Sequence, residues 1–268
     1  MTSHDIKIII ATHKKYRMPS DSIYLPVRVG AALGNEDFGY QRDDEGENIS
    51  VLNKSFCELT GLYWAWKNLN ANNIGLVHYR RHFCYKKKSK DPFDNILTFA
   101  EANLLLDQFS IIVPKKRRYY IETLYSHYCH THYSQQLDQT RVIIQDKYSD
   151  YLPSFDKVMK RTYGYMFNMM IMPRYLLDQY CSWLFDILFV LKDTLPMPDL
   201  DDFQARFYGR ISELLFNVWL EYQIQSGALR RDNIKELPCI NMEPVNWWVK
   251  GTTFLKAKFF HQKYKKSF

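Results

Sequence analysis

The sequence predicts an α/β fold whose second half is mainly helical. Two observations predict it. Short β-branched runs, Ile6 to Ala11, Ile74 to His78 and Ser110 to Val113, alternate with helix-like stretches, and after residue 175 two long segments keep i, i+4 apolar spacing. A chain of 268 residues, 46% hydrophobic and 24% charged with 10 Gly and 10 Pro, can bury a substantial core, and it is not disordered, collagen-like or low-complexity.

The first run ends directly in Thr12-His13-Lys14-Lys15, which places polar groups at the C-terminal end of a buried strand, the usual ligand position in open α/β sheets. The next forty residues are loop-rich, with Pro19, Pro26, Gly30, Gly34 and Gly39 and an acidic knot from Arg42 to Glu47. Ser55-x-x-Glu58 matches a capping box opening a helix that ends near Lys67-Asn68. The second strand then runs straight into Tyr79-Arg80-Arg81-His82. Phe99 to Asp107 reads as a helix, Pro114 stops the third strand, and Glu122 to Lys160 is mostly helical. Tyr165 to Met172 is a strand-like segment interrupted by Asn168. The stripe from Tyr175 to Leu191 is an amphipathic helix broken by Pro196 and Pro198. A last helix follows Asp199, Asp201 and Asp202, read as N-terminal charges complementing its dipole, and it carries Arg206, Arg210, Glu213 and Asn217 along one face.

Charge and cysteine usage narrow the setting. The 36 Lys and Arg against 29 Asp and Glu leave +7, which favours phosphates, nucleic acid or an anionic membrane surface as partners. Five widely spaced cysteines, with no Cys-x-x-Cys pair, fit neither a disulfide framework nor a zinc ribbon and read as reduced thiols in the cytosol. Met1 to Lys7 lacks the apolar run of a signal peptide, and no charge-free stretch reaches membrane-spanning length. After Glu243 the acidic residues stop while six lysines alternate with aromatics. Residues 244–268 therefore form a basic aromatic tail beyond a domain of residues 1–243; its readings are a peripheral membrane anchor, a nucleic-acid arm or a disordered basic end.

Several clusters carry chemistry. Arg80 and Arg81, at a strand end, can fork onto a diphosphate and stabilise its charge as it leaves; the competing reading is a solvated basic turn. Asp43 and Asp44 are the carboxylates through which Mg²⁺ or Mn²⁺ would bind, against a plain turn rich in Asp and Gly. His127, His130 and His132 match no zinc spacing. Glu213 beside two arginines is either a general base oriented by them or their ion-pair partner, and Asn168 is either structural or a grip on a sugar hydroxyl. No Gly-rich phosphate loop or nucleic-acid-binding signature is present, which disfavours a phosphotransferase and a non-enzymatic module that binds nucleic acid or an anionic polymer.

Longer runs of residues carry a resemblance. Asp44-x-Gly46-x-Asn48-Ile49-Ser50-x-x-Asn53, Cys57-Glu58-Leu59-Thr60-Gly61-Leu62-Tyr63-Trp64-x-Trp66-Lys67-Asn68 and Gly75-Leu76-Val77-His78-Tyr79-Arg80-Arg81-His82-Phe83 resemble the bacterial capsular and exopolysaccharide glycosyltransferase family long filed as a domain of unknown function. Ala11-Thr12-His13-Lys14, Asn168-Met169-x-Ile171-Met172, Tyr180-Cys181-x-Trp183-Leu184-Phe185 and Arg206-x-x-Gly209-x-x-Ser212-Glu213 extend it from about residue 6 to 240.

The resemblance implies a GT-A-like fold with a mixed central sheet. It also implies hexosyl transfer from a nucleotide-diphosphate donor, with UDP-sugars the leading class, to a lipid-linked glycan of capsule, exopolysaccharide or O-antigen, by an enzyme on the inner face of the cell membrane. Where that fold normally places its metal-binding Asp-x-Asp, this chain has His78-Tyr79-Arg80-Arg81, so no metal is expected to be required. Thr12, His13, Lys14, His78, Tyr79, Arg80 and Arg81 are then the donor-binding residues, Asn168, Arg206 and Arg210 the sugar- or acceptor-binding residues, and Glu213 with Arg80 and Arg81 the catalytic set. Two positions depart from the family pattern: Met170 replaces Phe, an apolar exchange, and Leu214 replaces Arg, which removes a charge beside Glu213.

Overall fold

The computed structural model describes residues 4–87, 89–195 and 200–243. In chain order the strands are β1 (Ile6–Thr12), β2 (Tyr24–Arg28), β3 (Gln41–Arg42), β4 (Asn73–His78), β5 (Arg81–Phe83), β6 (Ile111–Pro114), β7 (Arg117–Arg118), β8 (Tyr163–Gly164), β9 (Met170–Pro173), β10 (Ile234–Leu237) and β11 (Cys239–Asn241). The helices are α1 (Asn53–Phe56), α2 (Leu59–Asn68), α3 (Phe99–Leu106), α4 (Leu124–Thr131), α5 (Ser134–Lys147), α6 (Leu152–Met159), α7 (Arg174–Thr194) and α8 (Phe207–Gln225). Among the described residues nine strands form one mixed sheet in the order β10-β6-β9-β4-β1-β2-β3, with β5 and β11 attached beside β4, and β7 and β8 form a separate ribbon.

The α/β reading and its helical second half hold. β1 pairs in parallel with both β2 and β4, so the ends of β1 and β4 emerge side by side. β9 runs antiparallel between β4 and β6. Gly75 permits that closeness: a Cβ there would lie 2.8 Å from the Ile171 side chain and 3.0 Å from the Met170 carbonyl oxygen. Ile8, Ile9, Ile10, Ile74, Leu76 and Val77 are fully buried, as strands covered on both faces require. The stripes of α7 and α8 pack their aromatic residues together, with the rings of Tyr180, Phe216 and Trp219 in mutual contact.

Local corrections follow from packing. The loop-rich segment contains the short parallel strands β2 and β3, whose sparse apolar pattern hides them. Ser55 and Glu58 make no capping box: Ser55 Oγ bonds the Leu52 carbonyl inside α1, Cys57 breaks the helix at a φ of 53°, and no side chain caps α2. The capping box lies instead at Thr98 and Glu101 of α3. The helical stretch after Glu122 is three helices. Phe167 and Asn168 take φ values of 80° and 51°, so a tight turn precedes β9 where a longer strand was expected. Asp201 does hold the next helix, accepting from the Phe203 and Gln204 amides, but the first turn, Gln204–Arg206, is 3₁₀, which sets Arg206 just ahead of α8. Asp199, Pro196, Pro198 and the tail 244–268 lie outside the described residues.

The acidic knot also resolves. Asp43 is fully buried and accepts from the Gly30 and Ala31 amides at 2.9 Å each, from Ser50 Oγ at 2.5 Å and from Thr60 Oγ1 at 2.6 Å. Gly30 sits at a φ of 70°, so this carboxylate holds a left-handed turn against the start of α2. Asp44 grips Arg42 with both oxygens, at 2.9 and 2.6 Å. Both carboxylates are consumed by the chain and do not fit a divalent cation. Replacing Asp43 with Ala, which strands four buried donors, is expected to lower the unfolding free energy by about 3 kcal/mol or more in urea denaturation. Unchanged stability together with an altered Mn²⁺ response would restore the metal reading.

Candidate active site

The site forms where β1 and β4 end. Thr12 is buried, and its hydroxyl donates to the Lys14 carbonyl and accepts from the Lys14 amide, so it shapes the turn rather than facing a ligand. That turn projects His13 and Lys14 over Tyr79 at the end of β4: the His13 ring lies edge-on at 5.4 Å and Lys14 Nζ sits 5.0 Å from the ring centre. Lys14 also meets Glu243 at 3.5 Å. Burial first, then the charges of Arg206, Lys14 and Arg80, hold His13 below the ordinary imidazole value.

The turn of Tyr79 and Arg80 joins β4 to β5, and Arg80 and Arg81 are both half-buried. Among the described residues neither belongs to an ion pair. Arg81 Cζ sits 3.8 Å from the centre of the Phe167 ring, and its Nε donates to Asn241 Oδ1 at 3.3 Å. Its charged neighbours include Arg80, Glu213 and Arg210. These guanidiniums belong to a cluster reaching from β1 to α8.

Glu58, read from sequence as a cap, is the carboxylate at the base of this cluster. Asn168 Nδ2 donates to Glu58 Oε1 at 2.7 Å and to the Gly209 carbonyl at 3.0 Å, tying the α1–α2 junction, the turn before β9 and α8 together. Asn168 is 2% exposed and its amide hydrogens are both spent, which corrects the sugar-gripping expectation toward a structural role, although its Oδ1 has no partner. His78 bonds the Phe167 carbonyl at 2.5 Å, which fixes the proton on Nε2. Burial opposes the charge on Glu58, but the His78 ring, the Asn168 amide, its own backbone and Arg210 outweigh it and leave the carboxyl below its ordinary value. Burial lowers His78, against the pull of Glu58.

Glu213, one turn after Gly209 on α8, faces the same cluster and meets Arg210 at 3.4 Å. Its carboxyl is raised, by burial first and then by Glu58, and Arg210, Arg117 and Arg81 only partly compensate. Arg206 donates through Nε to Cys57 Sγ at 3.1 Å, and burial holds that thiol at about 11, so it stays protonated. The structure thus brings together His13, Lys14, His78, Tyr79, Arg80, Arg81, Arg206, Arg210 and Glu213.

Sequence reading missed Glu58, Cys57, Arg117 and Arg28. The last has a buried Nη1 without a partner and stands beside Thr12 in the β1–β2 register. The sparse apolar pattern of β2, Tyr-Leu-Pro-Val, gave no signal for it. The histidine trio is structural: His127 and His130 each bond the buried Glu122, at 2.8 and 2.9 Å, and His132 bonds Gln204 at 2.9 Å. Among the described residues no group of His, Cys, Asp and Glu side chains is placed to hold a metal ion.

Comparison with curated proteins finds no match. The solved apo structure of WbbM, a bifunctional glycosyltransferase, superposes with a TM-score of 0.83 at 28% identity over 90% of this chain. This chain spans 46% of that protein. The likeness agrees with a GT-A-like fold. The sequence profile described as Domain of unknown function (DUF4422) matches residues 7–224, most of the chain, and the protein belongs to that family.

Proposed function

We propose that the protein is a glycosyltransferase that moves a sugar from a nucleotide-diphosphate donor, of the UDP-sugar class, to a hydroxyl of a lipid-linked glycan. The carrying observation is the pair of guanidiniums at the end of β4, without carboxylate partners among the described residues, beside one raised carboxyl, Glu213. Such a cluster suits a dianionic leaving group and supplies one base. The similarity to WbbM supports the reaction class.

In the proposed inverting reaction the acceptor oxygen attacks the anomeric carbon while Glu213 removes its proton. The bond from that carbon to the diphosphate oxygen breaks, its electron pair stays on the leaving group, and Arg80 and Arg81 take up the developing charge. His13 and Lys14 close the cluster from the β1 side, with Tyr79 as their platform. Arg206 and Arg210 would meet the sugar or the acceptor. Divalent-metal chemistry is not needed in this scheme because guanidiniums stand at the strand end where carboxylates would hold the ion.

A panel of nucleotide sugars screened for released nucleotide tests the reading, and no release from any donor with any acceptor would overturn it. Arg80→Ala and Arg81→Ala are each expected to cut turnover on the order of 10²- to 10³-fold. Strong chelator should leave the wild-type rate unchanged; complete loss restored by Mn²⁺ would remove the two arginines from that role. Glu213→Gln should cost on the order of 10²- to 10⁴-fold. The base works only deprotonated, so the rate should fall as pH drops through a value above that of an ordinary glutamate, and the Gln variant should lose this limb. Near-normal turnover of that variant, or a retained anomeric configuration by NMR, would exclude Glu213 as base. Asn168→Ala should lower unfolding stability by about 1–3 kcal/mol, because it strips Glu58 and the Gly209 carbonyl of a buried donor. Unchanged stability with a raised donor KM would return Asn168 to the sugar.

A further inference from the structure

We propose that the segment from Lys115 to Ile121 is a docking surface for an anionic lipid bilayer, and that it sets the candidate active site against the membrane. Its benefit to catalysis rests on the lipid-linked acceptor proposed above; the surface itself rests on separate observations. The sequence Lys-Lys-Arg-Arg-Tyr-Tyr-Ile follows β6 without a break. Its backbone is held in place, with Arg117 paired to Gly164 and Arg118 to Tyr163, and with the Lys115 and Tyr119 amides donating to the Leu237 and Thr162 carbonyls.

Two features of the segment point outward together. Lys115, Arg117 and Arg118 are exposed and belong to no ion pair among the described residues, whereas Lys116 meets Glu236 at 2.8 Å. Immediately beyond, Tyr120 and Ile121 are 81% and 70% exposed, more than any other large hydrophobic side chain described. A hydrogen-bonded ribbon that offers cations and leads into two adjacent bulky apolar groups matches both layers of a bilayer surface, the anionic headgroups and the acyl boundary. A soluble polyanion would use the cations and leave Tyr120 and Ile121 unexplained.

The position of this surface links it to the site. Arg117 is a charged neighbour of Glu213, so a docked ribbon holds the proposed base near the headgroup layer, where the glycan of a lipid-linked acceptor begins. No helix among the described residues is long and apolar enough to cross a membrane, so attachment through this ribbon would be to one face only.

The test uses the full chain, residues 244–268 included, in co-sedimentation with phosphatidylglycerol–phosphatidylcholine vesicles and with pure phosphatidylcholine vesicles. Wild-type protein should bind the anionic vesicles and release from them as salt rises. Lys115→Glu with Arg118→Glu, and separately Tyr120→Ser with Ile121→Ser, should each weaken that binding about tenfold or more. Nucleotide release in the absence of lipid should stay within about twofold of wild type in both double variants, which shows that they fold. Wild-type protein that ignores anionic vesicles, or a double variant that binds them normally, overturns the proposal. Retained heparin binding with vesicle binding indifferent to Tyr120 and Ile121 also overturns it, in favour of a polyanion site. Vesicle binding lost in both variants while each keeps the wild-type thermal unfolding midpoint, with no nucleotide sugar turned over by any form, supports the docking surface and removes only the transferase reading.

Discussion

At Arg81 and Arg206 positive charge is fixed by partners that do not cancel it: Arg81 rests on the Phe167 ring and an amide oxygen, and Arg206 on a protonated thiol, while Lys14, over the Tyr79 ring, also meets Glu243 at 3.5 Å. An aromatic face, an amide or a thiol orients a cation at low cost and leaves most of its field available, whereas a carboxylate at ion-pair distance would neutralise it. Parallel pairing sets the ends of β1 and β4 side by side, and the Asn168 amide, donating to the Gly209 carbonyl, holds the start of α8 against them.

The knot that holds these elements in register is the buried amide of Asn168. One side chain reaches the α1–α2 junction through Glu58 and α8 through the Gly209 carbonyl. To present that amide the backbone takes two successive positive φ values, and Phe167, unlike Asn, has no intrinsic tolerance for one. Unfavourable conformations of this kind persist only where the surroundings over-determine them. Here the compensation is visible: the Phe167 carbonyl bonds His78 and its ring supports Arg81.

Much of this was legible before any coordinates. The β-branched runs gave β1, β4 and β6 because both faces of a central strand are buried, and the i, i+4 stripes gave α7 and α8 because each is apolar on one side. Arg80 and Arg81 were legible as a pair following an apolar strand. Glu58 was not, because Ser55-x-x-Glu58 is also a capping pattern, and only the bend at Cys57 turns that carboxylate toward α8. Asp43 was misread for a related reason: local composition reports a turn rich in acid, and burial of the carboxylate among four donors from distant residues is a tertiary fact. β2 and β3 escaped notice because two- to five-residue strands with Pro and Gly nearby carry almost no periodic signal.

The two carboxylates of the site are displaced in opposite directions: the cations lower both, and burial with the charge of Glu58 outweighs them only at Glu213. Glu58 accepts a direct amide bond, and that bond with the charge of His78, its own backbone and Arg210 favours its ionised form enough to overcome burial. Glu213 has a single guanidinium at 3.4 Å, and it feels the ionised Glu58 as a like charge in a poorly screened setting. Separation of this kind is what the proposed mechanism asks of the pair: a lower carboxyl that stays ionised and a raised one that takes up a proton more readily.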